Sequence, residues 1–148
     1  LTSKKVKVIP TWNIPQGIAA FLAFNYDLNL EQNSKAMEKV ISKVKAIEVT
    51  RAVRGTRLGG LDIKKGQFIA ILDDEELIAR ADEARDVILE ALGKAGVDKA
   101  GIITIYYGTD IKGAEAQEIA QELRERCHTE VEVIYGGQPH YNYIISLE

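Results

Sequence analysis

The stretch "GIITIYYGTDIKGAEAQEIAQELRERCHTEVEVIYGGQPHYNYIISLE", residues 101 to 148, decides the fold. "GIITIYY" (101–107) is a continuous apolar run, the pattern of a strand buried on both faces of a sheet. After it, Ala116, Ile119, Ala120, Leu123 and Cys127 recur at helical spacing and draw one apolar stripe. Arg124 and Arg126 stand in the last turn of that helix, where its dipole favours cations. "EVEVIY" (130–135) then alternates as a strand does, runs into Gly136 and Gly137, and is followed by "YNYIISL". A strand, a helix and a second strand make a parallel pair joined by a crossover. The link to the last strand is too short to hold a helix, so that strand must return antiparallel.

Working outward, "KVKVIP" (5–10) alternates and predicts a third parallel strand. "IPQGIAAFLAF" (14–24) predicts a helix with Pro15 in its first turn and Asn13 or Ile14 ahead of it. From Ile18 to Phe24 it is apolar nearly all round, which predicts burial. Asn29 stands three residues before Gln32, the spacing of a capping box, and Ala36, Met37, Val40, Ile41 and Val44 recur on one face of the helix that follows. Between 48 and 80 the period changes to two. "EVTRAVR", "LDIKKGQFIAIL" and, after "DDEE", "LIARA" read as a β-meander inserted into the α/β alternation. "DEARDVILEALGKAG" returns to helix, with Asp82 placed to cap it and Gly96 to end it, and Thr109 or Asp110 would cap the helix after 107. The expectation is a single α/β domain over 1–148: a layered mixed sheet, parallel core strands at 5–10, 101–107 and 130–135, helical crossovers, an antiparallel last strand and the meander at 48–80.

Composition narrows the function. Lys and Arg number 19 against 22 Asp and Glu, and a net charge of -3 gives no field to draw nucleic acid or an anionic membrane. The chain shows neither an apolar run of membrane-spanning length nor a signal-peptide core, so a cytoplasmic protein without membrane insertion is expected. Cys127 stands alone, which fits a reducing compartment and gives no zinc-ligand spacing. The absence of an initiating Met and the polar lead-in to 5–10 read as a piece of a longer polypeptide.

Ligands of open α/β sheets bind beyond the carboxyl ends of parallel strands. Three segments qualify by position: "TWNIPQG" with Gln16 and Gly17, "YYGTD" with Tyr107, and "YGGQPH" with Gly136, Gly137, Gln138 and His140. Gly17 would either let a ligand approach backbone N–H groups or give clearance to a neighbouring helix. Gly108 and Gly113 have P-loop spacing, but Ala114 and Glu115 stand where a Lys and a hydroxyl are needed, so this is no nucleotide loop. Arg51 and Arg54 would face opposite sides of a strand, and with Arg57 they read as a partner surface rather than one phosphate clamp, Arg54 being the contact of choice. The acids of "DDEE" (73–76) read as a wet hairpin tip rather than a metal site. His140 could serve as base, donor or ligand, or Pro139 and His140 could simply shape a corner on which Tyr141 or Tyr143 packs. No nucleophile accompanies it: Ser42 and Ser146 fall in a helix and a strand, and Cys127 on the core stripe. No catalytic constellation and no metal site emerge.

Five segments in this order carry a resemblance over essentially the whole chain: "VIPTWNIPQGIAAFLAFN", "EVTRAVRGT", "DIKKGQFIAIL", "IITIYYG" and "VIYGGQPHYNYIIS". Together they resemble the C-terminal domain of the dihydroxyacetone-kinase-like catalytic subunit of bacterial fatty acid kinase. The resemblance implies a three-part cytoplasmic protein with an N-terminal ATP-binding domain, a middle domain, and a C-terminal region related in fold to DegV-type lipid-binding proteins and to the dihydroxyacetone-binding kinase subunit. In that family a DegV-type protein carries the fatty acid and docks on the kinase, which moves the γ-phosphate of ATP onto it. The ATP and Mg²⁺ motifs belong to the N-terminal domain and are not in this sequence, so no catalytic role is carried onto any residue here. The family's C-terminal region is longer than this chain, which would be its latter portion. Partner docking and positioning is the expectation. The alternatives are a small-molecule or phosphotransfer site around His140 for a hydroxyketone-like ligand, with Gln16, Tyr107 and Gln138, or an oligomerisation role that would make a homodimer.

Overall fold

The computed structural model describes residues 3–148. Two compact units make it up, one ending at Val44 and one spanning Lys45–Glu148, where the sequence reading treated the chain as one layered domain.

The first unit holds two helices. α1 (Ile14–Leu22) is capped by Asn13, whose side chain accepts from the Gln16 N–H, with Pro15 in the first turn as the sequence predicts. The expectation that this helix is buried all round is not met. Pro15, Ala19 and Ala20 are buried, whereas Phe21 and Leu22 are about three-quarters exposed, at 77% and 76%. α2 (Leu30–Ile41) carries the predicted capping box, Asn29 and Gln32 each accepting from the other's backbone N–H. The predicted strand at 5–10 is a correction. No strand forms there among the described residues, and Val6 and Val8 are exposed. Alternation makes a segment suited to a sheet, but a strand exists only through a paired neighbour.

The second unit is a six-stranded mixed sheet in the order β5-β4-β1-β8-β6-β7, with strands β1 (Lys45–Arg51), β4 (Phe68–Leu72), β5 (Glu76–Ala81), β6 (Ile102–Tyr107), β7 (Glu130–Tyr135) and β8 (Tyr143–Leu147). A separate hairpin pairs β2 (Thr56–Leu58) with β3 (Leu61–Ile63). β6 and β7 are parallel and joined through α4 (Gly113–Cys127), as the opening stretch predicts. β8 is antiparallel, also as predicted, and it inserts between β6 and β1. All five of its residues are buried, so the last strand joins the β6–β7 pair to the meander β1–β4–β5. The meander is therefore half of the main sheet rather than an insertion beside it. α3 (Ala84–Ala95) and α4 cover one face, and Val87, Ile88, Leu92, Ile119 and Leu123 pack on Ile47, Val49, Ile103, Ile105 and Ile145. Each such side chain contributes about 1.5–3 kcal/mol by leaving water.

Two caps differ from expectation. Asp82 does not cap α3: Glu83 is the capping position without a side-chain bond, and the Asp82 carboxylate accepts from the Gln67 amide at 2.8 Å. Neither Thr109 nor Asp110 caps α4, which starts after Lys112. Gly96 ends α3 in the left-handed conformation, as its position predicts.

Candidate functional site

β1, β5, β6 and β7 run in one direction, so their carboxyl ends share one edge of the sheet. Tyr107 ends β6 at this edge, and the loops that leave it contain Arg54 and the corner 136–142, which brings six of the eight predicted residues to one rim. Gln16 and Gly17 lie in the other unit. There the Gln16 side chain accepts from the Trp12 N–H at 3.0 Å, while its own N–H donates to the Asn13 side chain at 3.0 Å. A Cβ on Gly17 would meet nothing nearer than the Thr11 hydroxyl at 3.8 Å.

The corner is fixed by its backbone. The Gly136 and Gly137 N–H groups both donate to the Tyr107 carbonyl, at 3.0 and 3.3 Å. Gly108 N–H donates to Asn142 O at 2.9 Å and Thr109 N–H to Gln138 O at 3.1 Å. The Gln138 amide reaches back to the Tyr106 carbonyl at 3.0 Å, and the Thr50 hydroxyl donates to the His140 carbonyl at 2.9 Å. Gly137 has φ +69°, which favours glycine, and Gly108 has no room for a side chain, since a Cβ there would lie 2.6 Å from Gln138 O. Tyr107 stacks obliquely on Tyr135, ring centroids 5.3 Å apart. The backbone of His140 is thus anchored while its side chain is exposed, and Arg54 is exposed too.

A second feature went unread in the sequence. Glu48 sits in the middle of β1, opposite Ile71 on one side and Ile144 on the other, on the sheet face away from α3 and α4. It is 4% exposed, and one carboxyl oxygen, Oε2, has no hydrogen-bond partner. Burial first, then a hydrogen bond with the Asp74 carboxyl and the charges of Asp74 and Asp73, push its pKa up to about 8, so Glu48 keeps its proton at neutral pH. Both aspartates belong to the β4–β5 turn, each with positive φ, and Asp73 accepts from the Ala46 N–H at 2.8 Å. Burial, then Glu48 and Asp74, also raise the Tyr141 phenol. The "DDEE" tip is therefore not wholly wet: its first two acids fold back onto the sheet. A glutamate between Ile47 and Val49 in an alternating strand was the available signal, but alternation says only that it faces away from the core, not that this face is covered. No group of three or more His, Cys, Asp or Glu is placed to hold a metal ion among the described residues.

On the helical side, the Tyr143 hydroxyl donates to Glu115 at 2.8 Å, and burial together with that carboxylate raises the phenol strongly. Nearby, a cleft of about 270 Å³ is lined by Glu83, Arg85, Glu115, Glu118 and Glu122, with Arg85 bound to Glu122 through two of its nitrogens. No helix is long and apolar enough to cross a membrane among the described residues.

Comparison with known proteins places this geometry. The FakA-like C-terminal family of fatty acid kinase proteins matches residues 1–148. Protein YloV of Bacillus subtilis is 38% identical over the whole chain, and a Staphylococcus aureus protein 36% identical over 95% of it. The matches take up 27% and 26% of those proteins, so the chain spans about a quarter of the length of the curated relatives it matches. Among solved structures, the Streptococcus pneumoniae fatty acid kinase B3 protein, loaded with linoleic acid, aligns with TM-score 0.55 at 17% identity, over 82% of this chain and 50% of that one. A fatty-acid-binding DegV family protein of Thermus thermophilus aligns with TM-score 0.53 at 16% identity, over 90% and 55%. The shared feature is the fold.

Proposed function

We propose a function from one premise: the chain belongs to the FakA-like C-terminal family of fatty acid kinase proteins. Within a longer kinase it acts as a non-catalytic docking and positioning module, which receives a DegV-type fatty-acid-binding protein and holds it for phosphoryl transfer elsewhere. ATP and Mg²⁺ would be bound by parts of the longer protein beyond this chain. Phosphoryl transfer depends largely on positioning, so a rigid recognition surface is a sufficient contribution.

The observation that carries this reading is the corner 136–142. Its backbone bonds to β6 and β1 fix the corner, and on the same rim His140 in the corner, Arg54 and Val53 in the loop after β1, and Tyr135 at the end of β7 are exposed, the last two 84% and 61%. A fixed corner on a rim that bears exposed aromatic, apolar and basic groups suits recognition, because the corner loses little conformational freedom on binding. Calorimetric titration of the chain with a fatty-acid-loaded DegV-type protein tests it. Saturable binding, weakened by His140→Ala and Arg54→Ala, is expected; absence of binding at high micromolar concentration refutes it.

A further inference from the structure

We propose that Arg80 is the centre of an oxyanion-binding site on the sheet face away from α3 and α4, and that it receives a carboxylate side chain of the docking partner. The identity of the occupant rests on the docking reading above; the site itself rests on geometry. Arg80 in β5 lies opposite Ile69 in β4, and Ile69 lies opposite Thr50 in β1, so Arg80 and Thr50 rise from one face near the rim. Their neighbours Ala79, Ala70 and Val49 point the other way into the core.

The guanidinium is partly covered. Its Nε is buried without a hydrogen-bond partner, and Arg80 makes no ion pair among the described residues. A buried N–H is unfavourable unless an acceptor reaches it. The acids around it are engaged or turned elsewhere. Asp82 accepts from the Gln67 amide, Asp62 pairs with Arg57 at 3.7 Å, and Glu83 lines the cleft on the helical side. Asp73, Asp74 and Glu75 occupy the β4–β5 turn at the opposite end of the sheet. Cations gather at the Arg80 end instead, where Arg54 follows β1 and Lys64 and Lys65 precede β4. The β2–β3 hairpin flanks the same strand, its Gly59 tip lying beside Leu77.

An arginine presents Nε–H and one Nη–H as parallel donors that match the two oxygens of a carboxylate, which a lysine ammonium does not do. The part of Arg80 that stays accessible is where an acidic side chain entering from the rim, steered by Arg54 and the lysines, would meet the fork, and Nε–H comes within its reach only as that contact forms.

The test titrates the full chain with a fatty-acid-loaded DegV-type protein, as wild type, Arg80→Gln and Arg80→Lys. Alongside, the Nε–Hε resonance of Arg80 is followed by NMR under sodium acetate and inorganic phosphate. Both variants should keep the wild-type melting temperature and lose affinity by about tenfold or more, lysine failing to rescue because charge alone is not the determinant. Acetate should shift the resonance. Equal affinity of wild type and Arg80→Gln overturns the assignment while docking stands. If Arg80→Gln does not fold, Arg80→Lys carries the comparison. If the wild type does not bind, the docking reading fails and the resonance decides the site alone: a shift with acetate supports it, and no shift, or one with phosphate only, overturns it.

Discussion

Glu48→Gln puts the buried carboxyl pair to the test. The Glu48 carboxyl is pushed up from 4.5 to about 8, chiefly by burial and then by Asp74. Between those two values the folded chain keeps a proton that the unfolded chain has released. The contribution of this carboxyl to stability is therefore full below pH 4.5, falls as pH rises through the window, and is lost above pH 8. A difference of about 3.5 pH units at about 1.36 kcal/mol each amounts to about 5 kcal/mol across the window, and to about 3 kcal/mol at pH 7. Glutamine keeps the shape, can donate its amide to Asp74, and does not titrate. The variant should match the wild type near pH 4.5 and exceed it by several kcal/mol at pH 8. Urea unfolding followed by far-UV circular dichroism from pH 4.5 to 9 measures this; Trp12 fluorescence does not serve, because that residue lies in the other unit and is exposed. Parallel stability curves for the two proteins across the window would refute the argument, as would a carboxyl ¹³C titration placing Glu48 near the ordinary glutamate value.

Gly108→Ala should destabilise the second unit by about 2 kcal/mol or more, since its Cβ meets the Tyr141 and Gln138 carbonyls and the backbone must move; the same urea titration reads it. Tyr143→Phe, which removes the hydroxyl donated to Glu115 at 2.8 Å from a fully buried ring, should cost about 1 kcal/mol, against about 3–5 kcal/mol for Tyr143→Ala, both scored by thermal melts. Gly96→Ala, at a left-handed helix end with φ +84°, should lower stability by about 1 kcal/mol without changing helix content at low temperature.

Much of the second unit was legible. The parallel pair, the crossover helix, the returning strand and the helix end at Gly96 follow from periodicity, link length and one glycine, all of which act locally. The corner 136–142 was legible as a turn for the same reason, and Tyr107 as a residue of its rim, whereas Arg54 reaches that rim only through the pairing of β1 in the sheet. Helix caps were less so: Asp82 sits where a cap should, yet Gln67 from the loop before β4 takes its carboxylate. A local preference worth about 1 kcal/mol yields to a tertiary hydrogen bond.

By itself, then, the sequence determined the alternation of strands and helices, the direction of the last strand and the family. Tertiary structure alone decided three things. "KVKVIP" stays unpaired because strand pairing is a property of two segments, not one. The meander enters the main sheet because β8 finds β1 as well as β6. Glu48 and Arg80, which read as ordinary outward residues of alternating strands, become a buried and a partly covered group, each with one buried atom lacking a hydrogen-bond partner. Which face of a sheet stays open to water depends on what folds over it, and no period in the chain encodes that.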